Sequence, residues 1–469
     1  MKAAKAPKIP RKEAKKVPKT SKKVAAQGSG VPVKCQHFDV PSDRRAHLDS
    51  WGRTLRSKVE QVQRSGVPEF RRLDVPGLRI GTDCSGAEAP IWALREMGIP
   101  HRHIFSCDVD GVVRSFIQSA SPPEDKVYED MLQRSVADLP DIDVYVAGFP
   151  CTPYSLLRRH STRMFKEKAA RPYFELLKVL RAKRPALAIL ENVLGLRSVL
   201  PKVLRDLKRL RCYNIIYFIL NPTHFGEPVS RPRYYFLLIR QDASALADTK
   251  YMVDFCTKCL SGVQSPVTQH VVKRMLPNNN PQVQAFFQEA AMRKRKASQR
   301  GVPVSQSAST SSMPWNTGRQ QAVWSRVQQQ MGTNDVIANV SQSISRCSPR
   351  TDGVCPTITP NGSFIVGVAQ RPVLPCEKLL LNGFPLHRMK IPASVSKAAL
   401  GRMGGNTMHL HCVGLVLLMG ISLLKVTLPL PADSAHAAKA PEAVFIETKH
   451  SVSEKAESSG CKRRRTDGD

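Results

Sequence analysis

From about residue 76 to residue 240, short apolar runs alternate with amphipathic stretches. LRIGTDC (78–84), HIFSCDV (103–109), DVYVAGF (143–149), ALAILENV (186–193), NIIYFIL (214–220) and YYFLLIR (234–240) have the length and the β-branched or aromatic content of strands. Between them, APIWALREMG (89–98) and YFELLKVLRAKR (173–184) read as helices. In the second, Leu176, Leu177 and Leu180 repeat at helical spacing while Lys178, Arg181 and Lys183 face outward. Apolar strands alternating with amphipathic helices predict an α/β fold whose mostly parallel sheet is covered on both faces.

The pattern changes over 241–370, where Ser, Gln, Asn and basic residues dominate, as in MRKRKASQRG (292–301) and SQSASTSSMPW (305–315). Regular patterning returns near 364 and runs to about 430. There CVGLVLLMGISLL (412–424) is an apolar run of about 13 residues, short of the ~20 that a bilayer span requires, and reads as a buried helix. These shifts predict a disordered basic arm (1–30), an N-terminal extension (31–75) and a core (76–240). A partly irregular insert (241–370), a returning core segment (371–430) and a disordered charged tail (431–469) follow.

Charge adds a partner to this picture. Lys and Arg outnumber Asp and Glu by 71 to 38, a formal net charge of +33. Residues 1–24 hold nine lysines, Arg11 and one acid, Glu13, so most of the excess lies elsewhere. Such a chain attracts polyanions, nucleic acid first and an anionic membrane surface second. Lys and Pro interrupt the N-terminus before any secretory signal core forms. The twelve cysteines lack the spacing of a disulfide framework, so a reducing, intracellular setting is expected.

In doubly wound sheets, ligands bind beyond the carboxyl ends of the strands. DCSGAEAP (83–90) follows the first strand, and its Gly86 either lets a cofactor approach the backbone or makes a plain strand-to-helix turn. Asp108 and Asp110 follow the second strand, as a partner for ribose hydroxyls or as a helix N-cap. Cys151 follows the third, behind Pro150. A free thiol is only a few per cent thiolate at neutral pH, and LRRHSTR (157–163) and SRPRYYF (230–236) offer cations that favour ionisation. Glu191 ends the fourth strand above the same crevice. Each has a bland alternative: a buried cysteine, a capping glutamate, a surface arginine pair. CTKC (256–259) has the form of a zinc half-site, but no second CxxC accompanies it, and no metal is expected.

Taken together, GFPCTPYS (148–155), ENV (191–193), RPR (231–233), EKLLLNGFP (377–385) and GGNTM (404–408) stand in the order seen in the cytosine-5 methyltransferases, and the chain resembles that family. The resemblance implies a Rossmann-like, S-adenosylmethionine-dependent methyltransferase fold with a smaller target-recognition domain. It makes Cys151 the nucleophile, Glu191 the acid at the ring nitrogen, and Arg231 and Arg233 the holders of the base's carbonyl oxygen. Pro150 would aim the sulfur. Asp83, Ser85, Gly86, Asp108, Asp130, Pro150, Asn406 and Thr407 would line the site for S-adenosylmethionine and its product S-adenosylhomocysteine. The Gly loop departs from the family, with Cys84 for an aromatic residue and Glu88-Ala89 for glycines.

Arg158, Arg159, Arg163, Arg293 and Arg295 are expected at phosphates of double-stranded DNA. The basic arm suggests chromatin, and Lys462-Arg463-Arg464-Arg465 a nuclear location. A tRNA cytosine-5 methyltransferase and a catalytically idle chromatin-binding protein are the alternative functions.

Overall fold

The computed structural model describes residues 34–64, 73–74, 77–151, 168–299, 317–428 and 443–448. The short strand β1 (Cys35–Gln36) and the long helix α1 (Ser42–Arg64) come first. The core then alternates as read from the sequence: β2 (Leu78–Asp83), α2 (Ala89–Glu96), β3 (His101–Cys107), α3 (Gly111–Ala120), β4 (Lys126–Tyr128), β5 (Val144–Ala147), α4 (Arg171–Lys183), β6 (Leu187–Val193), α5 (Leu200–Lys208), β7 (Tyr213–Leu220) and β8 (Arg233–Arg240). Helices α6 (Thr249–Val263), α7 (Pro281–Gln299) and α8 (Gly318–Met331) precede the short strands β9 (Ile337–Asn339), β10 (Phe364–Val366) and β11 (Arg371–Pro372). Last come α9 (Glu377–Leu380), β12 (Ile391–Pro392), α10 (Lys397–Asn406), α11 (Leu410–Ser422) and β13 (Ala443–Ile446).

The main sheet has eight strands in the order β13-β7-β8-β6-β5-β2-β3-β4. All neighbours are parallel except β8, which runs antiparallel to both β6 and β7. The period of two in strand side chains divides the core into two layers. Val144, Val146, Leu187, Ile189, Leu237 and Ile239 face α1, α2, α6 and α11. Tyr145, Ala147, Ala188, Leu190, Phe236 and Leu238 face α4 and α5. Helix α11 is buried along its whole length, which explains its continuous apolar run.

The structure corrects two boundaries. The region 241–370 is not all insert: α6 buries Met252, Phe255, Cys256, Cys259, Leu260 and Val263 in the main core. CTKC is thus part of an i, i+3, i+4 apolar stripe, and burial pushes the Cys259 thiol up to about 12. The insert keeps its own small sheet, β11-β10-β9, beside α8. The segment 431–469 is not tail throughout, because β13 adds a parallel edge strand to β7. The N-terminal extension carries α1, whose Leu48, Trp51, Leu55 and Val59 complete the core layer over α11.

Candidate active site

Cys151 lies just beyond the carboxyl end of β5, open to solvent. Its loop is tied to the neighbouring strand by Asn192, whose Nδ2 donates to the Phe149 carbonyl at 3.1 Å. Asn192 was named in the sequence only as part of a motif; its work is to hold the cysteine loop against β6. Gly148 has a different reason to be glycine. A Cβ there would meet Met408 Cε at 2.9 Å and Glu191 Oε2 at 3.4 Å, so the bare backbone lets the glutamate sit beside the loop.

The β6–β8 register sets Glu191 opposite Tyr235 and Val193 opposite Arg233. Residues two apart on a strand share a face, so Arg233 stands diagonally across from Glu191. Arg233 Nε lies 3.2 Å from Glu191 Oε1, and its Nη1 donates to the Pro232 carbonyl at 2.8 Å. Burial raises the Glu191 pKa, opposed by Arg233 and Arg231. Although Cys151 reaches solvent, the protein packed around it desolvates the thiol enough to raise its pKa, Glu191 adds to the rise, and the two arginines oppose it. The site therefore shifts Glu191 toward its protonated form and restrains ionisation of the thiol.

Arg231 does something other than expected. It is buried, and it donates to three backbone carbonyls: Ile358 at 2.9 Å, Gly405 at 3.1 Å and Thr407 at 2.6 Å. Its own amide donates to Asn221 Oδ1 at 2.8 Å. Arg231 thus fastens the insert and the 404–408 segment to the root of β8, and the expectation that it grips the base alongside Arg233 is corrected to a positioning role. Burial lowers its pKa to about 10, with Arg233 adding to the fall, so it remains charged at neutral pH.

At the other end of the crevice, two acids divide the roles left open for them. Asp110 caps α3, accepting from the Val112 amide at 2.9 Å. Asp108 does not cap; it accepts from the Gly86 amide and the Asp110 amide, each at 3.0 Å. Gly86 has φ 55°, and a Cβ there would meet nothing within 4 Å, so the turn borders open space. Val109, 73% exposed, follows Asp108 directly, and Leu132, 38% exposed, lies two residues after Asp130. An acid, an open Gly turn and exposed apolar side chains suit a nucleoside ligand, and this set fits the S-adenosylmethionine that the motifs imply. Val109 escaped the sequence reading because a lone valine carries no chemistry.

Two cofactor assignments are corrected. The Asp83 carboxylate turns into the core, where it pairs with Arg134 and accepts from the Tyr145 hydroxyl at 2.6 Å. Ser85 Oγ lies 2.7 Å from Thr82 Oγ1 and accepts from the Cys107 amide at 3.1 Å, stitching β2 to β3. Both serve the loop's shape. The departures from the family pattern also have a structural expression: Cys84 and Glu88 hold positive φ, 52° and 59°, where a non-glycine residue costs about 1–2 kcal/mol. Glu88 is fully buried, accepts from Thr82 Oγ1 at 2.8 Å, and is raised by burial to about 7.

Asn406 ends α10 exposed, and Thr407 caps it with its carbonyl on Arg231. Pro150 is half-buried between Phe149 and Cys151, and the Asp130 carboxylate accepts from the Leu132 amide at 2.9 Å. Arg293 and Arg295 lie in the last turns of α7, away from the strand ends in the chain. Arg158, Arg159 and Arg163 lie outside the described residues.

Residues 84–412, more than two-thirds of the chain, match the profile of the C-5 cytosine-specific DNA methylases. The chain is 27% identical over 155 residues to the Type II methyltransferase M.NlaIV of Neisseria lactamica, covering 30% of this chain and 36% of that protein. To the Type II methyltransferase M.HaeII of Haemophilus aegyptius it is 27% identical over 177 residues, covering 36% and 50%. It thus spans about a third to a half of the length of these curated relatives. The solved structure of the S. pombe Dnmt2 methyltransferase is also similar, with a TM-score of 0.48 and 16% identity over 73% of this chain and 98% of that one. The matched profile opens at Cys84, beyond β2, and closes at Cys412 in α11, so it encloses Cys151, Glu191, Arg233 and the 404–408 segment. The chain belongs to the C-5 cytosine-specific DNA methylase family.

Proposed function

We propose that this protein is a DNA (cytosine-5)-methyltransferase, which methylates carbon 5 of a cytosine turned out of duplex DNA through a transient bond to Cys151. The observation that carries this reading is a thiol just beyond the end of β5, on a loop tied to β6 by Asn192, at the strand ends where Glu191 and Arg233 pair. The Cys151 thiolate attacks carbon 6, forming a carbon–sulfur bond and raising electron density at carbon 5. Glu191, whose protonated form burial favours, donates at N3 where negative charge develops. Arg233 holds Glu191 with Nε and directs its remaining guanidinium N–H groups at the carbonyl oxygen of the base. S-adenosylmethionine supplies the electrophilic methyl group. Loss of the carbon-5 proton to solvent water and return of the N3 proton to Glu191 restore the ring double bond and expel Cys151 as thiolate.

Duplex DNA is the substrate best suited to a chain of charge +33, and extruding the base costs a few kcal/mol that phosphate contacts repay. The Lys-rich arm supports chromatin as the setting, and Lys462–Arg465 supports a nuclear location. Purified protein is incubated with labelled S-adenosylmethionine and either duplex DNA or tRNA, beside Cys151→Ser. Label in DNA with wild type alone is expected; label in tRNA alone, or in neither, overturns the reading. An oligonucleotide carrying 5-fluorocytosine traps the carbon–sulfur adduct, since the fluorine cannot leave as a proton does. A covalent complex mapped to Cys151 is expected.

A further inference from the structure

Away from the catalytic crevice, three chain segments bring a second set of reactive groups together. His47 on α1, Glu227 in the loop between β7 and β8, and His411 in the first turn of α11 meet beneath Trp51 and Phe225. We propose that His47, Glu227 and His411 bind one divalent transition-metal ion of the zinc class, fastening α1 to the catalytic core. This reverses the expectation of no metal, which rested on cysteine spacing alone, and it does not depend on the methyltransferase reading.

The geometry suits an ion. His47 Nε2 lies 2.8 Å and His411 Nε2 3.5 Å from Glu227 Oε1, and the three ligand atoms all fall within 4.8 Å of one another. A tetrahedral ion with bonds near 2.0–2.1 Å sets its ligands about 3.3 Å apart. The two histidine–carboxylate distances lie within about half an ångström of that spacing, and the third is at most 4.8 Å, so modest side-chain movements convert the cluster into a ligand set. Arg274 Nε sits 3.2 Å from the other oxygen, Glu227 Oε2, so the carboxylate offers Oε1 alone to the ion.

The contact between His411 Nε2 and Glu227 Oε1 also calls for a cation or a proton between the two atoms. His411 is 5% exposed, and its Nδ1 has no partner. With the proton on Nδ1, that donor is orphaned and the Nε2 lone pair faces a carboxylate. With the proton on Nε2, its bond to Glu227 is long and the Nδ1 lone pair is buried empty. An ion between Nε2 and Oε1 removes the conflict between the two lone pairs, while Nδ1–H stays without an acceptor. A neutral imidazole and a charged carboxylate are the ligating forms.

The test uses the full-length protein, stripped with a chelator and titrated with Co²⁺ and then Zn²⁺. Expected are one ion per chain, a d–d absorption of low-coordinate nitrogen–oxygen ligation without a thiolate charge-transfer band, and a rise in melting temperature on adding zinc. His47→Ala, which alters a partly exposed position on α1, weakens binding by more than about tenfold while circular dichroism stays native. Glu227→Gln, of nearly the same shape, does likewise. Three outcomes overturn the proposal: a spectrum of hydrated cobalt only, a thiolate band unaffected by His47→Ala, or equal affinity in wild type and both variants.

Discussion

Arg371–Glu377 and Arg233–Glu191 are both Arg–Glu pairs in the protein interior, and they are finished to different degrees. Arg371 meets both oxygens of Glu377, at 2.7 and 2.6 Å, and donates as well to the Leu276 and Pro372 carbonyls and Asn278 Oδ1. Glu377 in turn accepts from the Leu276 and Leu374 amides at 2.7 Å each. Neither side chain touches solvent. Arg233 meets Glu191 through one nitrogen at 3.2 Å, and both side chains keep about a tenth of their surface. The first pair has spent its hydrogen-bonding capacity on the fold where β11, α9 and the insert meet. The second retains donors and an acceptor at a strand end, which is what a ligand needs.

The largest effect follows from breaking the finished pair. Glu377→Ala leaves Arg371 charged and buried while stripping two amides of their acceptor. A loss of about 3–5 kcal/mol is expected, a large fraction of the stability of a typical fold. Urea unfolding followed by circular dichroism reads it. A loss below about 1 kcal/mol would mean that the closed network contributes little to the fold.

Next comes the corresponding change in the open pair. Glu191→Gln keeps shape and removes the proton donor, so single-turnover methylation is expected to fall about 10²–10³-fold, or roughly 3–4 kcal/mol on the barrier. Stability changes by less than about 1 kcal/mol, because the glutamine amide oxygen still accepts from Arg233, which keeps a second acceptor in the Pro232 carbonyl. The two glutamates then separate cleanly, one read by denaturant and the other by rate.

The open pair was legible in the sequence, and the reason is local; the closed Arg371–Glu377 pair was not. Each strand of the core is a run of apolar residues, and Cys151, Glu191 and Arg233 sit at strand ends, where position in the chain specifies position in the crevice. Arg231 was misread because its acceptors, the carbonyls of Ile358, Gly405 and Thr407, lie more than 120 residues away and carry no side-chain signal. Asp83 was misread for a similar reason: Arg134, 51 positions along, claims its carboxylate. Strand β13 is four residues, AVFI, in polar surroundings, and only its parallel pairing with β7 makes it a strand. The two histidines and Glu227 are 180 or more positions apart in order, so no spacing rule joins them.

Arg231 sharpens the comparison, because it resembles Arg371 in its contacts while neighbouring Arg233. Lysine keeps the charge but cannot direct planar N–H groups at carbonyls on three different segments. Arg231→Lys is therefore expected to cost about 2–3 kcal/mol of stability and to raise the KM for S-adenosylmethionine more than it lowers kcat. Arg233→Lys is expected to do the reverse, lowering kcat with little change in melting temperature. If both variants lose kcat equally and neither loses stability, Arg231 belongs with the reacting groups after all.

The smallest effect is a change in slope, and it tests the open pair most directly. The proposed chemistry needs Cys151 as thiolate and Glu191 protonated. Burial, reinforced by Glu191, raises the cysteine above its ordinary value, and burial raises the glutamate above its own. With the glutamate still the stronger acid, the thiolate fraction gained as pH rises between the two values is offset by the protonated glutamate lost. The wild-type kcat/KM is thus level across that interval, rising below it and falling above it. Glutamine has no proton to lose. In Glu191→Gln the compensation disappears, and the residual kcat/KM climbs about tenfold per pH unit through the neutral range until Cys151 is ionised. A pH series with duplex DNA as substrate distinguishes the two shapes. A level profile in the variant would mean that thiol ionisation does not govern the reaction.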